Sequence, residues 1–185
     1  MELFEAIYTR MSIGKVQARP VPRELIEKML AAGGQAPNHH KVQPWRFVVL
    51  TGAARQRLGE VMGRSLLKRQ PEVLAAVLAQ EQAKPLRAPV LIAVGVDPPS
   101  GPKIVEIENV CAAAAATQNM LLAAHALGLA AQWRTGAAAT DPDVKEFLGL
   151  APHQHLISFV YVGYPVVPPQ PYSRPLATDR TVWLE

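Results

Sequence analysis

The sequence predicts an α+β fold in which helices flank a central mixed β-sheet. Two apolar runs, residues 89–96 and 156–163, have the length and the β-branched content of buried strands. An alanine-rich run over residues 110–131 is long enough to form a central helix. The predicted order along the chain is helices, strand, helices, strand, helix, strand, helix, strand, which is typical of the α+β class.

The N-terminal half is predicted to contain four helices and one strand. The helical segments carry apolar residues three and four positions apart, as Leu25 and Met29 do. Pro22 suits a first helical turn, and the Gly33-Gly34 pair ends the helix that follows it. Residues 12–21 are expected to form a loop. The predicted helices cover residues 2–10, 22–32, 53–69 and 71–84, and the predicted strand covers residues 45–50.

In the C-terminal half, the two long apolar runs are continuous, as expected for strands covered on both faces. A turn over residues 97–102 precedes the alanine-rich helix, and a short strand follows it at residues 131–134. Thr140 or Asp141 is expected to cap a helix over residues 141–148. After Gly163, five closely spaced prolines predict an extended arm, which either reaches a neighbouring subunit or lies on its own surface.

Length and composition favour a single globular domain over nucleic-acid-binding, disulfide-rich and membrane proteins. A chain of 185 residues with 49% hydrophobic content can bury a core, and we expect residues 1–185 to form one domain. The net charge of +4 is scattered, which disfavours a nucleic-acid-binding protein. The single cysteine, Cys111, excludes an internal disulfide framework and favours the reducing cytoplasm. We expect neither a signal peptide nor a membrane span, because the N-terminus is acidic and polar residues interrupt the alanine-rich run.

The most informative segment is APNHHKVQPWRF, residues 36–47. Pro37 and Pro44 exclude a helix there and bias the residue before each of them towards extended geometry. The polar side chains between the two prolines need hydrogen-bond partners wherever they are buried. We therefore interpret the segment either as a ligand-binding loop or as a polar turn in which Asn38 hydrogen-bonds to its own backbone.

Other candidate binding groups are basic or lie beside a glycine. Arg10, Ser12 and Lys15 form a donor set that suits phosphate, although a solvated basic loop is the alternative. Gly136 would let backbone amides approach a planar ligand closely. No metal site is predicted, because the two histidine pairs lack carboxylate or cysteine partners at suitable spacing. Cys111 lies in an apolar helix and is expected to be inert.

Four segments together resemble the nitroreductase family of FMN-dependent oxidoreductases, and its small members most closely. They occur in the order and at the approximate spacing of that family, and they are YTRMSIGK (residues 8–15), APNHHKVQPWRF (36–47), QWRTG (132–136) and PYSRPL (171–176). The resemblance implies a nitroreductase-like fold and FMN as the cofactor. It also implies a homodimer with FMN at the subunit interface, where both subunits contribute binding residues.

The resemblance further implies a set of cofactor-binding residues. Arg10, Ser12 and the C-terminal Arg174 would hold the flavin phosphate, and residues 37–39 would reach the ribityl chain and phosphate of the flavin held mainly by the other subunit. Residues 132–136 would border the isoalloxazine ring. Lys15 would face the pyrimidine edge, because Gly14 stands where many members have a lysine. The full set is Arg10, Met11, Ser12, Lys15, Pro37, Asn38, His39, Gln132, Trp133, Arg134, Gly136 and Arg174.

The implied activity is a ping-pong reaction that needs no protein nucleophile. Hydride would pass from NAD(P)H to flavin N5, and a nitroaromatic, a quinone or another small acceptor would then take the electrons. The lack of long insertions predicts an open, shallow pocket. Three alternatives stay open: dehalogenation or flavin destruction on the same scaffold, a flavin-binding or redox-sensing module without significant turnover, and a basic nucleic-acid-binding protein, which the scattered charge disfavours.

Overall fold

The computed structural model describes residues 1–168, 170, 173–175 and 177–184. Five residues of the predicted C-terminal arm, Pro169, Pro171, Tyr172, Leu176 and Glu185, therefore lie outside the described residues. The helices are α1 (Leu3–Thr9), α2 (Arg23–Gly33), α3 (Ala53–Arg69), α4 (Ala75–Ala83), α5 (Glu106–Ala126), α6 (Ala137–Thr140) and α7 (Pro142–Phe147). The strands are β1 (Trp45–Thr51), β2 (Val90–Val96), β3 (Ala130–Arg134) and β4 (His155–Gly163), and 3₁₀ turns occur at His39–Lys41, Lys84–Arg87 and Ala177–Arg180.

The four strands form one sheet in the order β1-β2-β4-β3, and each neighbouring pair of these described strands is antiparallel. The α+β class is confirmed, but the expected mixed sheet is wrong for these strands. The single helix α5 returns the chain so that β2 and β3 point the same way, and β4 then inserts between them and pairs with both. Two helices, α3 and α4, connect β1 to β2, and the two strands run in opposite directions.

The sheet separates two apolar cores. On one face Ile92, Val94 and Val160 pack against α2 and α5, while on the other face Leu91 and Phe159 pack against α3 and α7. Alternate residues of a strand point to opposite faces, so the continuous apolar runs at β2 and β4 follow from helices covering both faces. All seven residues of β2 are buried.

Two element predictions differ from the structure by more than one residue at a boundary, and one α-helix was not predicted. The alanine-rich helix, predicted over residues 110–131, begins at Glu106 and ends at Ala126, because Gly128 adopts a φ of 74° and the chain then enters β3. Helix α4 begins at Ala75, since residues 71–74 form the turn that reverses the chain after α3. Helix α6 was not predicted. Among the described residues, no helix combines the length and the apolarity needed to cross a bilayer.

Candidate functional site

Three basic side chains meet where α1 packs beside the C-terminal end of α5, and we call this region the basic end. Arg10 directly follows α1, and the Thr9 hydroxyl lies 2.7 Å from His125 Nε2 on α5. Arg174 donates a hydrogen bond to Tyr8 O at 3.0 Å and a second one to Arg10 O. Burial and the charge of Arg174 both lower the pKa of Arg10. Like charges thus lie close enough here to disfavour one another.

The loop after Arg10 runs alongside β3. The Ile13 amide donates to Ala131 O at 3.2 Å. A Cβ added to Gly14 would overlap the Oε1 end of the Gln132 side chain, so the loop backbone approaches that side chain closely. The fold therefore brings together two of the four segments that carry the resemblance, residues 8–15 and 132–136. Of the predicted binding residues in the loop, Met11 is half-buried, while Ser12 and Lys15 are exposed.

A cavity of about 410 Å³ opens beside the end of β3. The predicted binding residues Arg134 and Gly136 line it, and Gly136 has a φ of 100°, a conformation that favours glycine. Its apolar lining comes from both the sheet and α3. These apolar residues are Leu58, Met62, Leu91 and Phe159. A planar apolar ring with one polar edge would suit such a cavity.

The cavity also contains three polar residues that the sequence interpretation missed, Lys84, Arg87 and Tyr161. Burial raises the pKa of the Tyr161 hydroxyl, while the nearby charges of Arg87 and Arg134 act in the opposite direction. Tyr161 lies opposite Gln132 in the β3–β4 pair. Lys84 and Arg87 belong to the 3₁₀ turn that leads into β2.

Two glycines of α3 position that 3₁₀ turn. A Cβ added at Gly59 would lie 2.1 Å from Gln82 O, and one at Gly63 would lie 2.6 Å from Gln82 Cγ. The end of α4 thus packs directly on the glycine side of α3, and Lys84 follows two residues later. The spacing of Gly59 and Gly63 by one helical turn is the sequence signal that could have indicated this close packing.

Trp133 is partly buried, and its indole belongs to the core on the α5 side of the sheet. The indole N–H donates to Ile157 O at 3.0 Å. Because side chains alternate along a strand, Gln132 and Arg134 face the opposite side from the indole. Trp133 thus lines the cavity, and its partly buried side chain also packs against the core on the α5 side.

The predicted loop residues lie near the other end of α5, which we call the acidic end because Glu106 and Glu108 begin the helix there. His39 Nδ1 lies 2.7 Å from Glu108 Oε2, and His155 Nε2 lies 2.7 Å from Glu106 Oε1. Asn38 accepts a hydrogen bond from the Gln43 amide at 2.8 Å, which closes the loop over five residues and not over the two residues of the expected Asx-type turn.

The loop itself is strained. Pro37 and Pro44 do not exclude a single 3₁₀ turn, which forms at His39–Lys41 and corrects the expectation of no helical structure. Three non-glycine residues of the described chain have positive φ, and all three belong to this loop: His40, Lys41 and Gln43. Such backbone conformations cost of order 1 kcal/mol each and concentrate at functional sites.

An open groove of about 550 Å³ lies between this loop and α5. Pro37, Asn38 and His39 line it on the loop side, and Glu108 and Cys111 line it on the helix side. The Cys111 thiol is exposed in this structure, although its apolar neighbours in sequence suggested an inert position. Among the described residues, no cluster of three or more histidine, cysteine or acidic side chains is suited to a metal ion.

The basic end and the acidic end are far apart in one chain. Glu108 and His125 are separated by about 25 Å along α5, at a rise of 1.5 Å per residue. The fold therefore brings Arg10, Arg174 and residues 132–136 into one region and places residues 37–39 in another.

The chain is similar over nearly its whole length to proteins of one family. The family model described as "Nitroreductase family" matches residues 7–164. The Escherichia coli (strain K12) protein named "Putative NAD(P)H nitroreductase YdjA" is 31% identical over 166 residues, which cover 89% of this chain and 89% of that protein.

Solved structures share the predicted nitroreductase-like fold, which is thereby confirmed. A nitroreductase-like family protein from Bacillus cereus has a TM-score of 0.86 at 24% identity, covering 100% of this chain and 97% of that chain. A nitroreductase homologue from Desulfovibrio desulfuricans, solved in complex with FMN, has a TM-score of 0.76 at 27% identity, covering 100% and 98%. This chain belongs to the nitroreductase family.

Proposed function

We propose that residues 1–185 form one FMN-dependent oxidoreductase domain that uses NAD(P)H to reduce nitroaromatics, quinones or similar small acceptors. The observation that carries the proposal is the basic end, where Arg10 and Arg174 lie together beside a loop that abuts Gln132. Membership of the nitroreductase family and the FMN complex of the Desulfovibrio desulfuricans relative support it.

The residues present fit FMN. Two arginines and the exposed Ser12 supply the donors that a phosphate requires, and a phosphate would offset the burial and the charge of Arg174 that lower the pKa of Arg10. The cavity beside β3 offers the flavin ring an apolar surface whose polar groups come from Lys84, Arg87, Arg134 and Tyr161. FMN, when bound, supplies the redox chemistry by taking hydride from NAD(P)H at N5 and passing the electrons to the acceptor in a ping-pong cycle.

This chain would bind, orient and tune the flavin. Arg10 and Arg174 would anchor the phosphate, and Gly136 would allow a backbone amide to approach the ring. A cation beside the pyrimidine edge would stabilise negative charge on it. Lys15 was the candidate from sequence, and Lys84 is a second candidate because it lines the cavity directly.

The two lysines can be separated by substitution. If Lys84 faces the flavin, Lys84→Met should lower the flavin reduction potential and the rate of reduction by NADPH more than Lys15→Met does. The reverse order would assign the role to Lys15. Potentiometric titration of each variant, at full flavin occupancy, gives the comparison.

We also propose that the working unit is a homodimer with FMN at the subunit interface. The separation of the two ends of α5 supports this, because residues 37–39 of one chain are remote from its own Arg10. A second copy packed with its α5 in the opposite direction would bring its loop to that basic end. Helix α1 exposes apolar side chains that a second copy could cover, namely Leu3, Phe4 and Tyr8.

Mixing two defective chains tests the shared site. Arg10→Ala and Asn38→Ala should each bind FMN weakly as homodimers. After subunit exchange at equal amounts, about a quarter of all sites should regain high affinity, because half of the dimers are mixed and each then contains one intact site. No recovery after demonstrated exchange would contradict a site built from two subunits.

The function itself is tested by the visible absorption spectrum of the purified protein before and after anaerobic NADPH. Oxidised-flavin bands that bleach with NADPH and return with a quinone would support the oxidoreductase. Bleaching without reoxidation by any acceptor would favour a redox-sensing module. A colourless protein that takes up no added FMN would overturn the proposal. A reducing compartment such as the cytoplasm would supply NAD(P)H and keep the Cys111 thiol reduced.

A further inference from the structure

His125 is the third basic residue of the basic end, and the proposed flavin chemistry gives it no role. Its Nε2 lies 2.7 Å from the Thr9 hydroxyl, which itself donates to Glu5 O at 2.6 Å. A hydroxyl has one proton to give, and this one goes to Glu5 O. With the hydroxyl proton directed to Glu5 O, Nε2 carries the proton of the His125–Thr9 hydrogen bond, which assigns the neutral ring to the tautomer that holds Thr9.

A second proton on His125 would leave that hydrogen bond intact, because Nε2 is a donor in both charge states. It would add a positive charge beside Arg10, which Arg174 already crowds. Burial and the charge of Arg10 lower the pKa of His125, and Glu5 acts against them. Within the described part of the chain, the charged groups that act on His125 are Glu5 on α1 and Arg10 directly after it.

We propose that His125 is a proton-linked positioning residue of the basic end: neutral while it holds Thr9 in the flavin-free protein, and protonated when a phosphate anion binds beside Arg10. This inference rests on the proposed function, because the phosphate is that of FMN. A bound anion offsets the repulsion from the arginines and favours the charged imidazole. FMN affinity should therefore contain a contribution that is present at acid pH and is lost as the pH rises through the pKa of His125 in the complex.

The test compares FMN affinity in the native protein and in His125→Gln, whose amide can still donate to Thr9. The ratio of the two affinities, native over variant, should rise about three- to tenfold between about pH 7.5 and about pH 5.5, since one pKa unit corresponds to a factor of ten. The phosphate of FMN also titrates near pH 6, but that effect is common to both proteins and cancels in the ratio.

Two controls isolate the charge effect. Riboflavin lacks the phosphate, so its affinity ratio should not change with pH. His155→Gln removes a histidine that is paired with Glu106 at the other end of α5, and its FMN ratio should stay constant. A ratio for His125→Gln that is independent of pH, or one that changes equally with riboflavin, would overturn the proposal.

NMR titration of the native protein gives a measurement that does not depend on the variant or on FMN. The His125 ring resonances, assigned through the backbone, should report a pKa below 6.5 in the free protein and a higher value in saturating inorganic phosphate. An unchanged pKa would overturn the inference even if FMN binds. Absence of FMN binding together with a phosphate-dependent pKa would instead count against the proposed function and leave the anion site in place.

Discussion

The two ends of α5 contain similar side chains in opposite electrostatic settings. At the acidic end, Glu106 and Glu108 lie in the first turn, where the helix dipole stabilises negative charge, and each has a histidine partner at 2.7 Å. At the basic end, His125 lies in the last turn, where the dipole favours a cation. Burial and the charge of the neighbouring Arg10 outweigh that preference, so the pKa of His125 is lowered.

The difference separates acidic groups that have basic partners from basic groups that lie close to other basic groups. Histidine–glutamate contacts that are satisfied within the chain need no ligand, and such pairs contribute little stability when they are exposed. A group of like charges costs free energy in the folded protein unless something else compensates it. Perturbed pKa values are concentrated at functional sites for this reason, and the basic end contains two of them, on Arg10 and His125.

Of the changes that we predict, the loss of FMN affinity in Arg10→Ala should be the largest. Loss of a charge-assisted contact to phosphate costs about 2–3 kcal/mol, so the FMN dissociation constant should rise about 30- to 150-fold. Titration of flavin fluorescence measures this change. Arg46→Ala is the matched control, because Arg46 forms an exposed ion pair with Asp97 away from the basic end. Unchanged flavin occupancy in Arg10→Ala would refute the phosphate assignment.

A smaller effect is expected from the loop at the acidic end. Asn38→Ala removes the side chain that accepts from the Gln43 amide and supports three residues with positive φ. We expect FMN affinity to fall about tenfold, the equivalent of roughly one hydrogen bond. His40→Gly is the control, since glycine adopts the observed φ of 52° without strain and should leave affinity nearly unchanged. Equal losses in both variants would indicate a general loosening of the loop.

Inorganic phosphate should stabilise the flavin-free protein by binding at the basic end and not at the acidic end. At about 50 mM phosphate and a dissociation constant of about 10 mM, the folded protein gains about 1 kcal/mol, which corresponds to a rise in Tm of about 2–4 °C. Chloride at equal ionic strength is the control for screening. The rise should disappear in Arg10→Ala and persist in Glu106→Gln. A rise that is equal in all three proteins would place the anion elsewhere.

The features predicted correctly from sequence have local causes. Asp141 was one of two expected caps of α7, and its Oδ1 accepts from the Asp143 and Val144 amides at 3.0 and 3.3 Å. The β2 and β4 runs were recognised from apolar content alone. Such signals lie within a few residues of the element that they define, so one sequence is sufficient to find them.

The features that were missed depend on contacts between distant parts of the chain. The pairing of β4 with both β2 and β3 is not encoded by any one strand. Lys84 reaches the cavity because α4 packs on Gly59 and Gly63, far earlier in the chain. His125 looked like an interruption of an apolar helix, and its partner Thr9 is 116 positions away. The resemblance to the nitroreductase family provided the binding residues that spacing alone left open.

The smallest expected effect is on the stability of the flavin-free protein. Because folding lowers the pKa of His125, the unfolded chain binds its proton more readily, and native stability should fall as the pH drops below about 6.5. His125→Gln should lack that part of the loss. The side chain is partly exposed, so solvent screening should limit the difference to well under about 1 kcal/mol. Urea unfolding in phosphate-free buffer at several pH values measures it.

Parallel stability curves for the native protein and His125→Gln would show that Arg10 and Arg174 do not repel the imidazole. The basic end would then resemble the acidic end, with its charges already balanced within the chain. The alternative outcome is that the stability of the native protein falls faster towards acid pH than that of His125→Gln, and that added phosphate restores the lost stability. This result would show that the positive charges of the basic end are compensated by a bound anion. In that case one end of α5 is stabilised by the chain itself and the other by the anion that it binds.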